Sequence, residues 1–270
     1  MTTELRLCVG IENGKSTITD RYFTSPLKLG MPVSRGDRLQ IILMMASAGI
    51  LKGDEFVYEI CCEEGTKTRL TEQSYTKIFD TGEGGAKRTQ QIRLKGNASL
   101  YYRPSAVIPF RNSTFDGDTV VELDKESEFV WADIMTAGRV AMQERFAFRH
   151  YRNRICVKLE GRPVWMDHCL LEPERMDADS LFFYDGHTHQ GTFYYYGPKE
   201  KREKILAWRE TAIEQIERME SEIRLGVTQA QEGICVRVLA DTAQDIEEIF
   251  DEIKKQVDYE KDLCNEKMFV

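Results

Sequence analysis

Two histidines separated by one residue, His187-Thr188-His189, form the pair whose spacing could most directly hold a metal ion. In an extended strand residues i and i+2 project from one face, so both imidazoles would meet one ion, with Asp185 as a nearby oxygen donor. Against this, Asp185-Gly186 is a turn signal, and a turn splays the rings into solvent or toward hydrogen-bond partners. His168-Cys169 and Cys61-Cys62 are immediate neighbours, and neighbours on a strand point to opposite faces. Neither pair can converge on one ion, and Cys61-Cys62 reads as one core thiol and one edge thiol. Gly82-Glu83-Gly84-Gly85 lacks the Lys-Ser/Thr that completes a phosphate loop, and Glu83 to Gly85 reads as a mobile hairpin tip. No nucleophile with a matching base emerges.

Elements able to position such groups are mostly strands. Between Leu5 and Tyr196, stretches rich in Val, Ile, Tyr, Phe and Thr are broken by Gly, Pro, Asn or Asp, the texture of an all-β region. Expected strands include Leu39 to Met45, Phe56 to Cys61, Gln91 to Leu94, Ser99 to Arg103, Thr119 to Leu123, Ile155 to Leu159 and Thr192 to Tyr196. Gly65, Gly96-Asn97 and Asp116-Gly117-Asp118 are the expected breakers. A sandwich, a barrel or a stacked β-helical array all suit this pattern. The runs Leu181-Phe182-Phe183-Tyr184 and Phe193-Tyr194-Tyr195-Tyr196 are rich enough in aromatics for a core or a partner surface, with core the default.

After Gly197-Pro198, the residues Ile205, Leu206, Ala212, Ile213, Ile216, Met219 and Ile223 recur at spacings of three and four, predicting an amphipathic helix that closes at Gly226. Ile234 to Leu239 alternates as a strand, and Asp241-Thr242 can cap a second helix with the stripe Ile246, Ile249, Phe250, Ile253 and Val257. An acidic tail from Asp258 is expected to fray. The expectation is therefore one domain over residues 1–270, a β stack over 1–197 followed by an integrated helix–strand–helix segment over 198–262.

The 270 residues carry 41% hydrophobic and 30% charged side chains and a net charge of −8, which opposes nucleic acid and favours protein or cation partners. No apolar run long enough to span a bilayer and no secretory signal pattern are present, so neither membrane insertion nor export is expected and a cytoplasmic setting is. Seven cysteines with no C-x-x-C pair argue against a disulfide framework or a zinc ribbon.

Four stretches carry a family resemblance. Pro26-Leu27 followed by Ser47-Ala48-Gly49-Ile50-Leu51-Lys52-Gly53-Asp54 comes first. Leu70-Thr71-Glu72-Gln73-Ser74-Tyr75-Thr76-Lys77-Ile78-Phe79 and Pro104-Ser105-Ala106-Val107-Ile108-Pro109-Phe110, with Phe115 downstream, come next. Trp131-Ala132-Asp133-Ile134-Met135-Thr136-Ala137-Gly138-Arg139, followed by Glu144-Arg145-Phe146, is the most specific. In this order and spacing they resemble the UreD (UreH) family of urease accessory proteins over residues 26 to 146. Family-motif positions matched here are Gly53, Thr71, Gln73, Lys77, Pro109, Gly138, Arg139 and Glu144. The chain departs from the pattern at Ala48, Lys52 and Glu72. A lysine where the family has glycine implies a relaxed loop or a different contact at a partner surface.

The resemblance implies a mostly β, helically stacked fold with two helices and no turnover of its own. It also implies direct binding to UreF, contact with UreG through UreF, docking on apo-urease and a sheltered passage for transient nickel, with no tightly bound cofactor. Nickel in transit needs weak ligands such as isolated carboxylates, hydroxyls and water. Asp54, Thr76, Asp133 and Asp167, at or near matched positions, are the passage candidates, and His187 and His189 a secondary metal candidate. The structural alternatives are that Asp54 caps the turn after Gly53 and that Asp133 pairs with Arg139. Two other functions fit a stacked β scaffold. A carbohydrate-acting enzyme would need a carboxylate pair on an open cleft with stacking aromatics. A metal-storage module would need tight binding by the isolated chain.

Overall fold

The computed structural model describes residues 1–181, 183–218 and 222–257. β1 (Thr2–Glu12) and β2 (Lys15–Phe23) form a hairpin, and the short β3 (Leu27–Leu29) and β4 (Val33–Arg35) lead into β5 (Arg38–Met45). The chain then winds through β6 (Glu55–Cys62), β7 (Lys67–Gln73), β8 (Thr76–Ile78), β9 (Ala86–Leu94), β10 (Ser99–Arg103), β11 (Val107–Pro109), β12 (Thr114–Leu123) and β13 (Glu128–Thr136). A second hairpin, β14 (His150–Leu159) and β15 (Arg162–Leu171), precedes β16 (His189–Tyr196), α1 (Lys199–Arg218), β17 (Arg224–Ala230), β18 (Gly233–Ala240) and α2 (Ala243–Gln256).

Two sheets face each other, ordered β15-β14-β12-β9-β6-β1-β2 and β17-β18-β16-β13-β10-β7-β5-β3. Neighbours in the winding region pair in parallel, β6 with β9 and β9 with β12 in one sheet, β7 with β10 and β10 with β13 in the other. Each coil climbs one strand of the first sheet, turns tightly, runs along the second sheet and returns through a long arch. The mostly β stack with two C-terminal helices expected above is what forms, as a two-sheet β-solenoid.

The two ends of the stack differ. Tight turns occupy one end, where Thr66, Ala98 and Ser127 donate their amides to the carbonyls of Glu63, Lys95 and Asp124 at 3.0–3.2 Å. These turns also bond to one another: Lys95 Nζ lies 2.8 Å from Glu63 Oε1, and the Gly96 amide donates to Asp124 Oδ2 at 2.7 Å. Arches 46–54, 74–85, 104–113 and 137–149 occupy the other end.

The core between the sheets follows from period-two alternation. In the first sheet Leu7, Ile60, Ile92, Val121 and Val157 stand in register as one inward row. Leu70, Tyr102, Trp131, Tyr194 and Cys235 form an inward row in the second sheet. A second core lies on the outer face of that sheet, where Ile246, Phe250 and Ile253 of α2 and Ile205 of α1 cover Val130, Phe193 and Val236. Thr242 caps α2 as expected, its hydroxyl accepting from the Asp245 amide at 3.1 Å. Gly191 lets α2 approach, since a Cβ there would sit 2.4 Å from Ile246 Cγ2.

Three local expectations are corrected. Asp116-Gly117-Asp118 is no breaker but runs through the middle of β12. Its carboxylates point outward, Asp116 and Asp118 to Arg152 and Asp118 also to Arg154 of β14, and Gly117 leaves inward room that Asn153 fills. The first C-terminal helix does not reach Gly226. Residues 224–230 form β17, with Leu225 and Val227 opposite Val238 and Val236, because the helical spacing at its end overlaps a strand alternation. Met219 and the tail from Asp258 lie outside the described residues. Gly82–Gly84 form a short 3-10 turn inside an arch, since the flanking strands belong to successive parallel coils and not to a hairpin. Of the aromatic runs, Phe193 to Tyr196 and Tyr184 are buried and Leu181 and Phe183 exposed, while Phe182 lies outside the described residues.

Candidate functional site

One layer of the interior breaks the apolar pattern. In the second sheet the inward positions Asp133, Thr192 and Arg237 stand side by side on β13, β16 and β18, and Glu72 lies inward on β7 of the same sheet. In the first sheet two inward rows face them. Arg88, Gly117, Asn153 and Cys169 form one, and Tyr58, Gln90, Thr119, Ile155 and Asp167 the other. The result is a polar seam between two hydrophobic sheets, where each buried polar group needs a partner.

In the N-terminal coils the seam is a closed network. Glu72 and Arg88, both over nine-tenths buried, approach to 3.7 Å. The Tyr102 hydroxyl lies 2.6 Å from Glu72 Oε1 and 2.9 Å from Gln90 Oε1, and Ser105 donates its amide and its hydroxyl to Glu72 Oε2, each at 3.2 Å. Burial, then the neighbouring Glu72 charge, raise the Tyr102 hydroxyl far above its ordinary pKa, so it acts as a donor. Thr76 shares a 2.5 Å hydrogen bond with Ser105, and both line a first chamber with about 20 Å³ of room for the centre of a water molecule. That volume holds about one water. Glu72, where the family pattern has threonine, is thus the counter-charge for buried Arg88.

In the C-terminal coils lies a second chamber of the same size, lined by Asp133, Asn153, Asp167, Cys169, Thr192 and Arg237 among others. Asp167 is ion-paired with Arg237, which also donates to Thr192 Oγ1 at 3.1 Å. Asp133 has no such pairing, and its Oδ1 is shielded from solvent without a hydrogen-bond partner among the described residues. Burial, and next the nearby Asp167 charge, push the Asp133 carboxyl up to about 7, with Arg237 and a hydrogen bond from Trp131 opposing. Burial likewise pushes the Cys169 thiol up to about 12, with Asp167 and Asp133 adding to the effect. Arg88 links the chambers, since it lines the first and its charge is felt at Asp133. A one-water chamber is far too small for a sugar ring, whose sites are open clefts of about 300–1,000 Å³.

The alternative pairing of Asp133 with Arg139 does not form. Arg139 instead grips Glu144, Nε to Oε2 at 2.8 Å and Nη2 to Oε1 at 2.5 Å, with its guanidinium 4.3 Å from the Phe110 ring centroid. Asp133 sits on the inward face two residues from Trp131, whereas Arg139 lies beyond the strand end in an arch, out of reach. Asp54 lies away from the seam and closes its own turn, its Oδ2 accepting from the Leu51 amide at 2.9 Å.

His187 and His189 do not share a strand face. Asp185 and Gly186 adopt positive φ of 47° and 84°, the turn expected from the sequence, and β16 begins only at His189. His187 is buried, with Nδ1 3.8 Å from Asp241 Oδ1, whereas His189 Nδ1 bonds to Thr188 Oγ1 at 2.8 Å. Burial lowers the His189 pKa, against the pull of Asp241. Among the described residues no three His, Cys, Asp or Glu side chains converge as a ready-made metal cage.

The family model described as UreD urease accessory protein matches residues 1–266. The chain belongs to the UreD family. It is 34% identical to the urease accessory protein UreH of Helicobacter pylori (strain P12) over 189 residues, 69% of this chain and 71% of that one. It is 30% identical to the urease accessory protein UreD of Acetivibrio thermocellus over 244 residues, 88% and 90% of the two chains. Similarity to the UreD of Actinobacillus pleuropneumoniae serotype 3 (strain JL03) is 30% over 260 residues, 94% and 96% of the two chains. Membership in this family supports a role in urease maturation.

The solenoid gathers the UreD motif positions. Gly53, with φ 76°, donates its amide to the Gly85 carbonyl and joins two successive arches. Lys77 accepts the Ile50 amide on its carbonyl at 2.8 Å, Gln73 ends β7, and Pro109 pairs with Ile78 at the end of β11. Gly138, Arg139 and Glu144 lie in the arch 137–149, and Thr71 stands in β7 opposite Arg103. Lys52 occupies the family's glycine position with its stem along Gly84, where an added Cβ would approach Lys52 Cε to 2.4 Å. Sequence reasoning missed Glu72 as a charge partner, Arg88, Arg237 and Cys169. Each is an inward polar residue in a strand of otherwise period-two apolar positions, and that interruption is the signal that could have found them.

Proposed function

We propose that this chain is a non-catalytic maturation chaperone that binds UreF, reaches UreG through it, docks on apo-urease and helps pass nickel to the urease site. The observation that carries the reading is the Asp133 Oδ1 inside the polar seam, buried without a hydrogen-bond partner among the described residues. Arg88 and Arg237 each have a carboxylate, Glu72 and Asp167, whereas among the described residues Asp133 has no direct ion-pair partner to compete with a divalent ion. Oxygen donors of this kind, with room for water, suit weak and reversible nickel contact. Thr76 and the first chamber extend the same lining toward the arches, and nickel is here cargo and not a resident cofactor.

Partner docking is supported by the arch end. Leu51, Tyr75 and Met142 are each at least half exposed there, on arches that carry UreD motif positions, and Leu181 is exposed on the neighbouring loop between β15 and β16. Exposed large apolar side chains grouped on one end favour a protein partner. No described helix is long and apolar enough to cross a membrane. With such partners the work belongs in the cytoplasm.

Co-purification tests the assignment. Co-expressed with cognate UreF and UreG in a host lacking the homologues, the chain should elute with UreF, and should capture UreG only when UreF is present. Folded UreF that elutes separately would overturn the partner reading.

A further inference from the structure

The second chamber contains a group that neither the family pattern nor the nickel reading uses. Cys169 stands two residues from Asp167 on β15, so both face inward, and it pairs in register with Asn153. Gly117, next in that row, has no side chain, and Asn153 fills the inward space it leaves. Across the chamber Asp133 presents the buried Oδ1 that no protein group satisfies among the described residues. A sulfur and a free carboxylate oxygen therefore line one water-sized space between the sheets.

We propose that Cys169 is a second ligand of the ion that visits Asp133, making the chamber a mixed sulfur–oxygen way-station selective for borderline and thiophilic divalent cations. The inference rests on the nickel-passage reading and adds its selectivity. Carboxylate and water alone suit magnesium, calcium or manganese as readily as nickel, whereas a thiolate favours later, softer ions. On coordination the sulfur–hydrogen bond breaks, the sulfur pair goes to the metal and the proton leaves to water, driven by the ion's charge. Two protein donors completed by water make a weak site, as onward transfer requires.

The test titrates the full-length chain with nickel(II) and, in parallel, cobalt(II), reading near-ultraviolet thiolate-to-metal charge-transfer absorption beside equilibrium dialysis. The band should appear in the wild type, vanish in Cys169→Ser, weaken in Asp133→Asn and survive in Cys235→Ser. Magnesium at the same concentration should not compete. A band that persists in Cys169→Ser overturns the proposal. Dialysis showing Asp133-dependent metal uptake with no thiolate band also overturns it, while leaving the carboxylate passage intact. Absence of any Asp133-dependent uptake removes the passage reading and this inference together. Because a buried serine could unsettle the fold, the unaltered chain supplies a second readout: X-ray absorption at the nickel edge should show a sulfur ligand on the bound ion. Nickel bound through oxygen and nitrogen alone counts against coordination by Cys169.

Discussion

Replacing Asp133 by asparagine should stabilise this protein at neutral and alkaline pH, the opposite of what removing half of an interior ion pair would do. The amide keeps the shape of the side chain and loses only its ability to ionise. In the unfolded chain the carboxyl titrates near 3.8, and in the folded chain burial and Asp167 hold it up to about 7. Below pH 3.8 the group is protonated in both states, and wild type and variant should be equally stable. Between those values the unfolded chain has released a proton that the folded chain retains, so wild-type stability falls as pH rises. Above about 7 both states are ionised and the difference levels off. Over a window of about three pH units, at about 1.4 kcal/mol per unit, the plateau comes to about 4 kcal/mol. Urea unfolding of both proteins from about pH 4.5 to about pH 8.5 measures it, with the gap opening as pH rises and flattening near 7. A variant less stable than wild type at about pH 8 would refute the reasoning, because it would mean that the carboxylate is satisfied by a cation in the interior.

Other consequences follow from the same geometry. Glu72→Ala strands the buried Arg88 guanidinium and should cost about 3–5 kcal/mol in urea unfolding, whereas Glu72→Gln should cost less. An unchanged midpoint for the alanine variant would show that Arg88 reaches water. Gly191→Ala places a Cβ against Ile246 and Phe250, and such overpacking should cost about 1–3 kcal/mol and speed amide exchange in α2, read by mass spectrometry. Substituting His187 and His189 together by alanine should leave the nickel content of co-expressed urease unchanged, because no third ligand converges with them among the described residues. A loss as deep as deleting the whole chain would make the pair a port for the metal.

The β stack was legible because short period-two strands and recurrent turn residues leave little else to build. Glu63, Lys95 and Asp124 open equivalent tight turns in successive coils, and the ends of the strands named from the sequence match to within about a residue. In contrast, β9, β12 and β14 begin well before their expected starts at Gln91, Thr119 and Ile155. Asp116-Gly117-Asp118 misled because its local turn preference is overridden by cross-strand arginines, Arg152 and Arg154, that appear some 35 residues later in the chain. The end of α1 misled because spacing of three and four merged into the Leu225, Val227 alternation. The motif residues are scattered from 53 to 144, and only the winding of the solenoid shows why: successive arches stack. The site itself was half legible. Asp133 and Asp167 could be named, but that Asp167 is ion-paired depends on Arg237, which reaches it from β18 through the fold and not through sequence spacing.

The most direct measurement is the nickel content of urease matured in cells carrying UreF, UreG and either wild-type chain or Asp133→Asn. Urea unfolding and UreF co-purification on the same preparations establish that the variant is folded and assembled. The account predicts a variant at least as stable as wild type at about pH 8, still bound to UreF, and a urease clearly poorer in nickel. A folded, UreF-bound variant that yields fully nickel-loaded urease would contradict it, because the buried carboxylate would then play no part in passing the metal.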